Sequence, residues 1–209
     1  MTHTLRGLYA ITSQAICADP PRLQAAVSAA LAGGTTLIQY RDKWSDAATR
    51  ESNARALLKL CRAQGVPLII NDDLDLACAT GADGVHLGAS DAPLAAARRR
   101  LGREAIVGVT CGDSMERARK AAEGGASYIA LGRFFASRTK PDAPGVSLEH
   151  LAEVRRALPQ APVCAIGGVT PDNGAQLVRA GAEMLAAVDA IFRADDIAAA
   201  AARFAPCFA

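Results

Sequence analysis

Within residues 67–91, PLIINDDLDLACATGADGVHLGASD, polar groups stand at the ends of apolar runs and not inside them. Pro67-Leu68-Ile69-Ile70 stops at Asn71-Asp72-Asp73, and Val85-His86-Leu87 stops at Gly88 and reaches Asp91. Short apolar runs bounded by turn residues, with a short helix (Leu74 to Thr80, closed by Gly81) between them, predict one βαβ unit. Parallel neighbours lie about 4.8 Å apart, so Asp72 and Asp91 can finish on one rim. Two carboxylates there repel unless a shared proton or a hard divalent cation holds them, and phosphate oxygens would complete the shell of such a cation.

Other strand ends add to the inventory: Gln39, Arg41 and Lys43, then Thr110, then Ser137, Thr139 and Lys140, and finally Gly167-Gly168. Arg41, Lys43 and Lys140 with two carboxylates suit a polyphosphate leaving group clamped by metal and cations. No His or Cys makes a nucleophile–base pair, which argues against acyl transfer. Gly167-Gly168-Val169-Thr170-Pro171 is a glycine turn feeding a helix, and Val188-Asp189-Ala190 follows the last strand. Turns of that kind hold phosphate, so a second anion site is expected, and with it two phosphorylated substrates. Taken singly, each signal has a plainer explanation. Arg41 and Lys43 can be a solvated strand end, Asp72 or Asp73 can cap the following helix, and Asp91 can cap the helix near Pro93. Thr110 can be a buried hydroxyl and Gly167-Gly168 only a tight turn. Their joint arrival on one face is what those explanations leave out.

The elements that must deliver these groups recur. A helix ends in Ala-Gly or Gly-Gly, a short linker follows, and an apolar strand begins, at AGGTTLIQY, TGADGVHLG, EGGASYIALG and RAGAEMLAAV. Strands are expected at 7–11, 36–40, 67–70, 85–87, 105–109, 128–131, 163–166 and 184–188. Helices are expected between them, including one capped by Ser45 and a last one over 194–204, with 13–19 as a loop. Eight strand–helix steps in 209 residues predict a single closed (β/α)8 TIM barrel spanning 1–209. An open doubly wound sheet is the alternative, but no GxGxxG turn follows the first strand, and polar residues end nearly every strand instead of clustering at one switch point.

Composition agrees. A chain with 51% apolar and 21% charged residues is globular, and a net charge of +2 gives no case for nucleic acid. Arg98-Arg99-Arg100 reads as a solvated helix end. Six cysteines without CxxC or zinc-ligand spacing read as reduced, mostly buried thiols, with Cys111 near the rim. With no signal-peptide core and no membrane-length apolar run, a soluble cytoplasmic protein is expected. The sequence leaves a homo-oligomer open.

The runs QYRDK, IINDD, DGVHLGASD, GVTC, GRFFASRTKP and AIGGVTPDN, in this order and spacing from about Leu8 to Phe192, resemble the thiamine phosphate synthase family, in its proteobacterial form. The resemblance implies a (β/α)8 barrel that joins 4-amino-2-methyl-5-hydroxymethylpyrimidine diphosphate to 4-methyl-5-hydroxyethylthiazole phosphate, with Mg2+, releasing diphosphate. It implies that Gln39, Tyr40, Arg41, Asp42, Lys43, Asn71, Thr110 and Lys140 hold the pyrimidine diphosphate, with Arg41, Lys43 and Lys140 acting on the leaving group. Asp72 and Asp91 would bind Mg2+. Ser137, Arg138, Thr139, Gly167, Gly168, Val188 and Asp189 would hold the thiazole phosphate. Independently of the resemblance, the loop from Ala136 to Val146, with Pro141, Pro144 and Gly145, is expected to close as a lid that excludes water. Three positions depart from the family: Asp189 stands where many members have Ser, Gly112 where His is common, and Arg133 where Pro is common. A thiazole tautomerase, which uses a His in that region, and a non-catalytic binder of thiamine precursors are the alternatives.

Overall fold

The computed structural model describes residues 4–88, 90–136 and 145–209, and its eight parallel strands close into a barrel in sequence order. They are β1 (Gly7–Ile11), β2 (Leu37–Tyr40), β3 (Leu68–Asn71), β4 (Gly84–Leu87), β5 (Ile106–Gly112), β6 (Tyr128–Leu131), β7 (Val163–Ile166) and β8 (Met184–Ala187). Pairing of Leu8 with Leu185 and Tyr9 with Ala186 joins β8 to β1, so no sheet edge is left open and the doubly wound alternative is excluded. Ser137, Arg138, Thr139 and Lys140, with most of the expected lid, lie outside the described residues.

Alternation along each strand divides the apolar runs into two cores. Tyr9, Ile11, Leu37, Ile69, Ile106, Tyr128, Cys164 and Met184 fill the barrel. Their neighbours Leu8, Ala10, Ile38, Ile70, Val107 and Leu185 point outward, under the helices. Burying one Leu or Ile contributes roughly 1.5–3 kcal/mol, and both faces of every strand gain it, which is why these strands read as continuous apolar runs.

The outer layer comprises α1 (Gln14–Cys17), α2 (Pro20–Ala32), α3 (Ala47–Ala63), α4 (Leu74–Thr80), α5 (Leu94–Leu101), α6 (Met115–Glu123), α7 (Leu148–Ala157), α8 (Pro171–Arg179), α9 (Asp189–Phe192) and α10 (Ile197–Ala202). Several boundaries differ from expectation. The 13–19 loop contains α1. The cap of α3 is Asp46, accepting from the Thr49 N–H at 2.9 Å, and not Ser45. The Ser45 N–H is itself held by Asp42 Oδ1 at 3.1 Å, which keeps Ser45 in the preceding loop. The last helix begins only at Ile197, because Asp196 caps it through the Ala199 N–H at 2.9 Å, and a 3-10 turn, Ala205–Phe208, finishes the chain. Strand β5 runs three residues past Val109, with a register shift between Thr110 and Gly112.

The recurring linker has a shared function at the N-terminal end of the barrel. The residue before each even-numbered strand bonds the backbone of the odd strand beside it. Thr36 Oγ1 donates to the Leu8 carbonyl at 3.1 Å, Asp83 accepts from Leu68 N–H at 2.8 Å, Ser127 from Val107 N–H at 3.0 Å, and Glu183 from Val163 N–H at 2.8 Å. Arg98 belongs to this face and is not a solvated helix end: it donates to the Ala105 carbonyl at 2.6 Å, the Gly125 carbonyl at 2.9 Å and Ser127 Oγ at 2.8 Å.

Candidate active site

The C-terminal ends of the strands surround a cavity of about 620 Å³. Gln39, Arg41, Lys43, Asn71, Asp72, Thr110, Gly167, Gly168, Val188 and Asp189 all line it. The structure therefore brings together residues that lie up to 150 positions apart (189 minus 39).

Among the described residues, three predicted positions are not part of its lining: Asp91, which lies beside Asp72, and Tyr40 and Asp42. Tyr40 and Asp42 are buried outside the cavity, since side chains alternate along the strand and these point away from Gln39 and Arg41. Asp42 instead shapes the loop, accepting from Tyr40 Oη at 3.0 Å, Trp44 N–H at 3.0 Å and Ser45 N–H at 3.1 Å. Burial opposes its charge, but the Trp44 and Ser45 N–H groups outweigh burial and hold its carboxyl below the usual range. Thr12, at the end of β1, accepts from the Arg41 N–H at 2.8 Å and donates to the Arg41 carbonyl at 3.1 Å. That double clamp fixes the strand end from which Arg41 extends, its guanidinium lying 5.5 Å from the Trp44 ring centroid.

The two aspartates after β3 divide their tasks. Asp73 caps α4, accepting from Leu76 N–H at 2.9 Å. Asp72 is left free to face the rim, in a left-handed conformation with φ 62°, a strain of about 1–3 kcal/mol of the kind that concentrates at functional sites. Lys43 Nζ lies 2.7 Å from Asp72 Oδ2. Asp91 does not cap the next helix, whose N-cap is Pro93. It accepts from the Gly88 N–H at 2.5 Å and contacts the Asp72 carboxyl. Burial raises both acids, but at Asp72 it is outweighed by Lys43 together with hydrogen bonds from Asp91 and Asn71, and the pKa falls below the ordinary carboxylate range. At Asp91 the Gly88 N–H and Lys43 lower the pKa less than burial and the neighbouring Asp72 raise it. One carboxyl pushed down and its neighbour pushed up is the behaviour of a pair that competes for a cation or shares a proton. Two hard oxygen donors so placed fit Mg2+ if phosphate and water supply the remaining ligands. Among the described residues no group of three or more acidic, His or Cys side chains forms a fuller metal site.

On the opposite side, Gly167 (φ 100°) and Gly168 (φ 65°) turn the chain between β7 and α8. A Cβ at Gly167 would meet Arg133 and one at Gly168 would meet Phe135 and the Ala136 carbonyl. Close approach requires both glycines as much as the turn does. Asp189 is the first residue of α9 and faces the cavity.

Cavity residues not anticipated as part of the site include Tyr9, His86, Arg117, Arg133 and Arg193. His86 lies within an apolar run, where only strand alternation could have turned it inward with Gly84 and Gly88. Arg117 comes from α6 and reaches to within 3.2 Å of the position a Cβ on Gly112 would take. Cys111, beside Thr110, faces the helices instead of the rim, and burial pushes its thiol up to about 11. All six cysteines are unpaired by disulfides, and five are buried.

The family model described as thiamine monophosphate synthase matches residues 8–191. The chain is 48% identical to a thiamine-phosphate synthase of Thioalkalivibrio sulfidiphilus, over 100% of this chain and 99% of that one. It is also 48% identical to a thiamine-phosphate synthase of Chromobacterium violaceum, again over 100% and 99%. Among solved structures, a thiamine phosphate pyrophosphorylase from Pyrococcus furiosus superposes with a TM-score of 0.88 at 29% identity, covering 99% of this chain and 96% of that one.

Proposed function

Since the chain belongs to the thiamine monophosphate synthase family, a family of transferases, we propose that it condenses 4-amino-2-methyl-5-hydroxymethylpyrimidine diphosphate with 4-methyl-5-hydroxyethylthiazole phosphate. The observation that carries this reading is the Asp72–Asp91 pair beside Lys43 and Arg41 on the cavity rim. A binder of the thiazole phosphate alone would have no use for it.

Arg41 and Lys43 take the diphosphate, and Asn71 donates to its oxygens. Asp72 and Asp91 would hold Mg2+, which supplies further neutralisation of the charge that develops as diphosphate departs. Both carboxylates would have to be ionised to hold it, and Lys43, paired with Asp72 at 2.7 Å, would then be free to turn towards phosphate. Gln39 and Thr110 meet the pyrimidine, whose amino group delocalises the positive charge left when the C–O bond breaks. Backbone N–H groups at Gly167-Gly168 and Val188-Asp189 receive the thiazole phosphate and so aim the thiazole nitrogen at that carbon. Charge stabilisation and positioning suffice, and no protein base is required. Asp189 turns its carboxylate from the phosphate in this scheme, and Arg193, four residues on and also at the cavity, supplies a compensating cation. Ser137, Arg138, Thr139 and Lys140 complete the two anion sites in this reading. Gly112, which carries no acid or base, supports the synthase over a tautomerase. Among the described residues no helix is long and apolar enough to cross a membrane, in keeping with a cytoplasmic location.

The test is diphosphate release and thiamine phosphate formation from both substrates with Mg2+. Wild type should form both products. A wild type that binds thiazole phosphate but ignores the pyrimidine diphosphate with Mg2+ would refute the reading.

A further inference from the structure

Five side chains from five strands form one hydrogen-bonded chain through the barrel interior. Gln39 Nε2 donates to Tyr9 Oη at 2.6 Å, and the Tyr9 and Tyr128 hydroxyls meet at 2.8 Å. Tyr128 Oη lies 2.9 Å from His86 Nδ1, and His86 Nε2 lies 2.8 Å from Thr110 Oγ1. The tyrosine rings cross at 90° with centroids 5.8 Å apart, and His86 stacks on Tyr128 at 5.7 Å. Gly108 makes room for this arrangement, because a Cβ there would fall on the Tyr128 ring. Burial pushes both phenols well above their ordinary range, so each keeps its proton.

Each link then dictates the next. With the Gln39 amide donating to Tyr9, Tyr9 donates to Tyr128 and Tyr128 to His86 Nδ1. His86 is neutral with its proton on Nε2, which it donates to Thr110. The Thr110 hydrogen is left for the cavity, while Gln39 keeps its carbonyl oxygen there. Turning the Gln39 amide over reverses every link, including the His86 tautomer. Reversing only part of the chain either strands a buried hydroxyl hydrogen without an acceptor or leaves two oxygens facing each other with no hydrogen between them, at a cost of about 1–3 kcal/mol. Gln39 and Thr110, both at the cavity, therefore change character together: one accepts when the other donates.

Building on the pyrimidine reading above, we propose that this chain makes the site selective for an aminopyrimidine over the corresponding oxopyrimidine. In the polarity described, the Gln39 carbonyl accepts from the exocyclic amino group and the Thr110 hydroxyl donates to the adjacent ring nitrogen. An oxopyrimidine offers the reverse pattern, a carbonyl and a ring N–H, and can be matched only by reversing all four links at once. Tyr9, Tyr128 and His86 are positioning residues in this scheme, acting through the two that touch the ring.

The experiment compares the 4-amino and 4-oxo pyrimidine diphosphates, with Mg2+ and thiazole phosphate, on wild type, Tyr9→Phe and Tyr128→Phe. Wild type should favour the amino compound by about 100-fold or more in kcat/KM. Each Phe variant should lose roughly ten-fold of that ratio, about 1.4 kcal/mol, with thiazole phosphate affinity unchanged. Nitrogen-15 NMR should find His86 protonated on Nε2 in wild type and mixed between tautomers in Tyr128→Phe. If Tyr128→Phe does not fold, Tyr9→Phe breaks the same chain one link away. Folded variants that keep the wild-type ratio, or a wild-type His86 protonated on Nδ1 with the amino compound bound, would overturn the proposal. A wild type that neither binds nor converts the aminopyrimidine diphosphate would remove the pyrimidine reading itself, and this inference with it.

Discussion

The two ends of the barrel use the same residue types to opposite effect. At the N-terminal end, Asp83 and Glu183 each accept a strand N–H and face an arginine, Arg62 at 3.6 Å and Arg155 at 2.8 Å. Their charges are matched by partners the chain itself supplies. At the C-terminal end, Asp72 and Asp91 face each other with Lys43 2.7 Å from Asp72, and Asp72 occupies a strained backbone conformation. The first arrangement closes a fold. The second sets one carboxyl against another, which costs stability and, in the proposed reaction, becomes useful when cation and phosphate arrive.

The sharpest way to break this contrast is to remove one rim carboxylate. Asp91→Ala, or chelation of Mg2+ in wild type, should lower thiamine phosphate formation by about three orders of magnitude or more, with the thermal midpoint nearly unchanged. A folded Asp91→Ala enzyme retaining a tenth of wild-type turnover would put the metal elsewhere. At the other end, Glu183→Ala leaves the Val163 N–H without its acceptor and should cost about 1–3 kcal/mol, or a midpoint fall of roughly 2–12 °C. Substrate KM values measured well below that midpoint should not move.

A smaller effect has the opposite sign. Asp91→Asn should raise the midpoint in metal-free buffer at neutral pH while abolishing activity, because it removes the repulsion with Asp72. The pH dependence follows from the raised pKa of Asp91. The native state binds that proton more tightly than the unfolded chain, so the stabilisation it brings is present in acid and is lost as pH rises through the native pKa. The advantage of the Asn variant should therefore shrink as pH falls through that value, where the wild-type carboxyl is neutral too. Melting curves from pH 3 to 7 check this. An advantage that is constant with pH would deny the repulsion. Smallest of all, Lys43→Ala should change metal-free stability by no more than about 0.5 kcal/mol, since its half-exposed pair with Asp72 is screened by water.

Much of this division was readable without coordinates, though unevenly. The four helix–Gly–strand repeats announced the barrel, but the polar residue in each, Thr36, Asp83, Ser127 and Glu183, carries no signal by itself, because it acts on a strand elsewhere in the sequence. Asp72 and Asp73 are chemically identical neighbours. Which one caps α4 and which one faces the rim depends on the φ of 62° at Asp72, and composition cannot express that. Tyr40 and Asp42 share a run with Gln39 and Arg41 yet leave the cavity through alternation. His86 and Arg117 enter it for the converse reason, one turned inward by the strand and the other delivered from a helix.

The amino-acid sequence by itself determined the period of the elements, the apolar runs that two-sided burial demands, and the placing of charge only after those runs end. Those are local properties, set by side-chain chemistry and by the turn preferences of glycine and proline. The tertiary structure alone decided which polar groups meet. Closing β8 onto β1 sets the pairing and the inward face of every strand. Only that closure carries one hydrogen-bonded chain from Gln39 to Thr110 and sets two carboxylates against each other across neighbouring strand ends. Such contacts depend on distances in space that sequence separation does not encode.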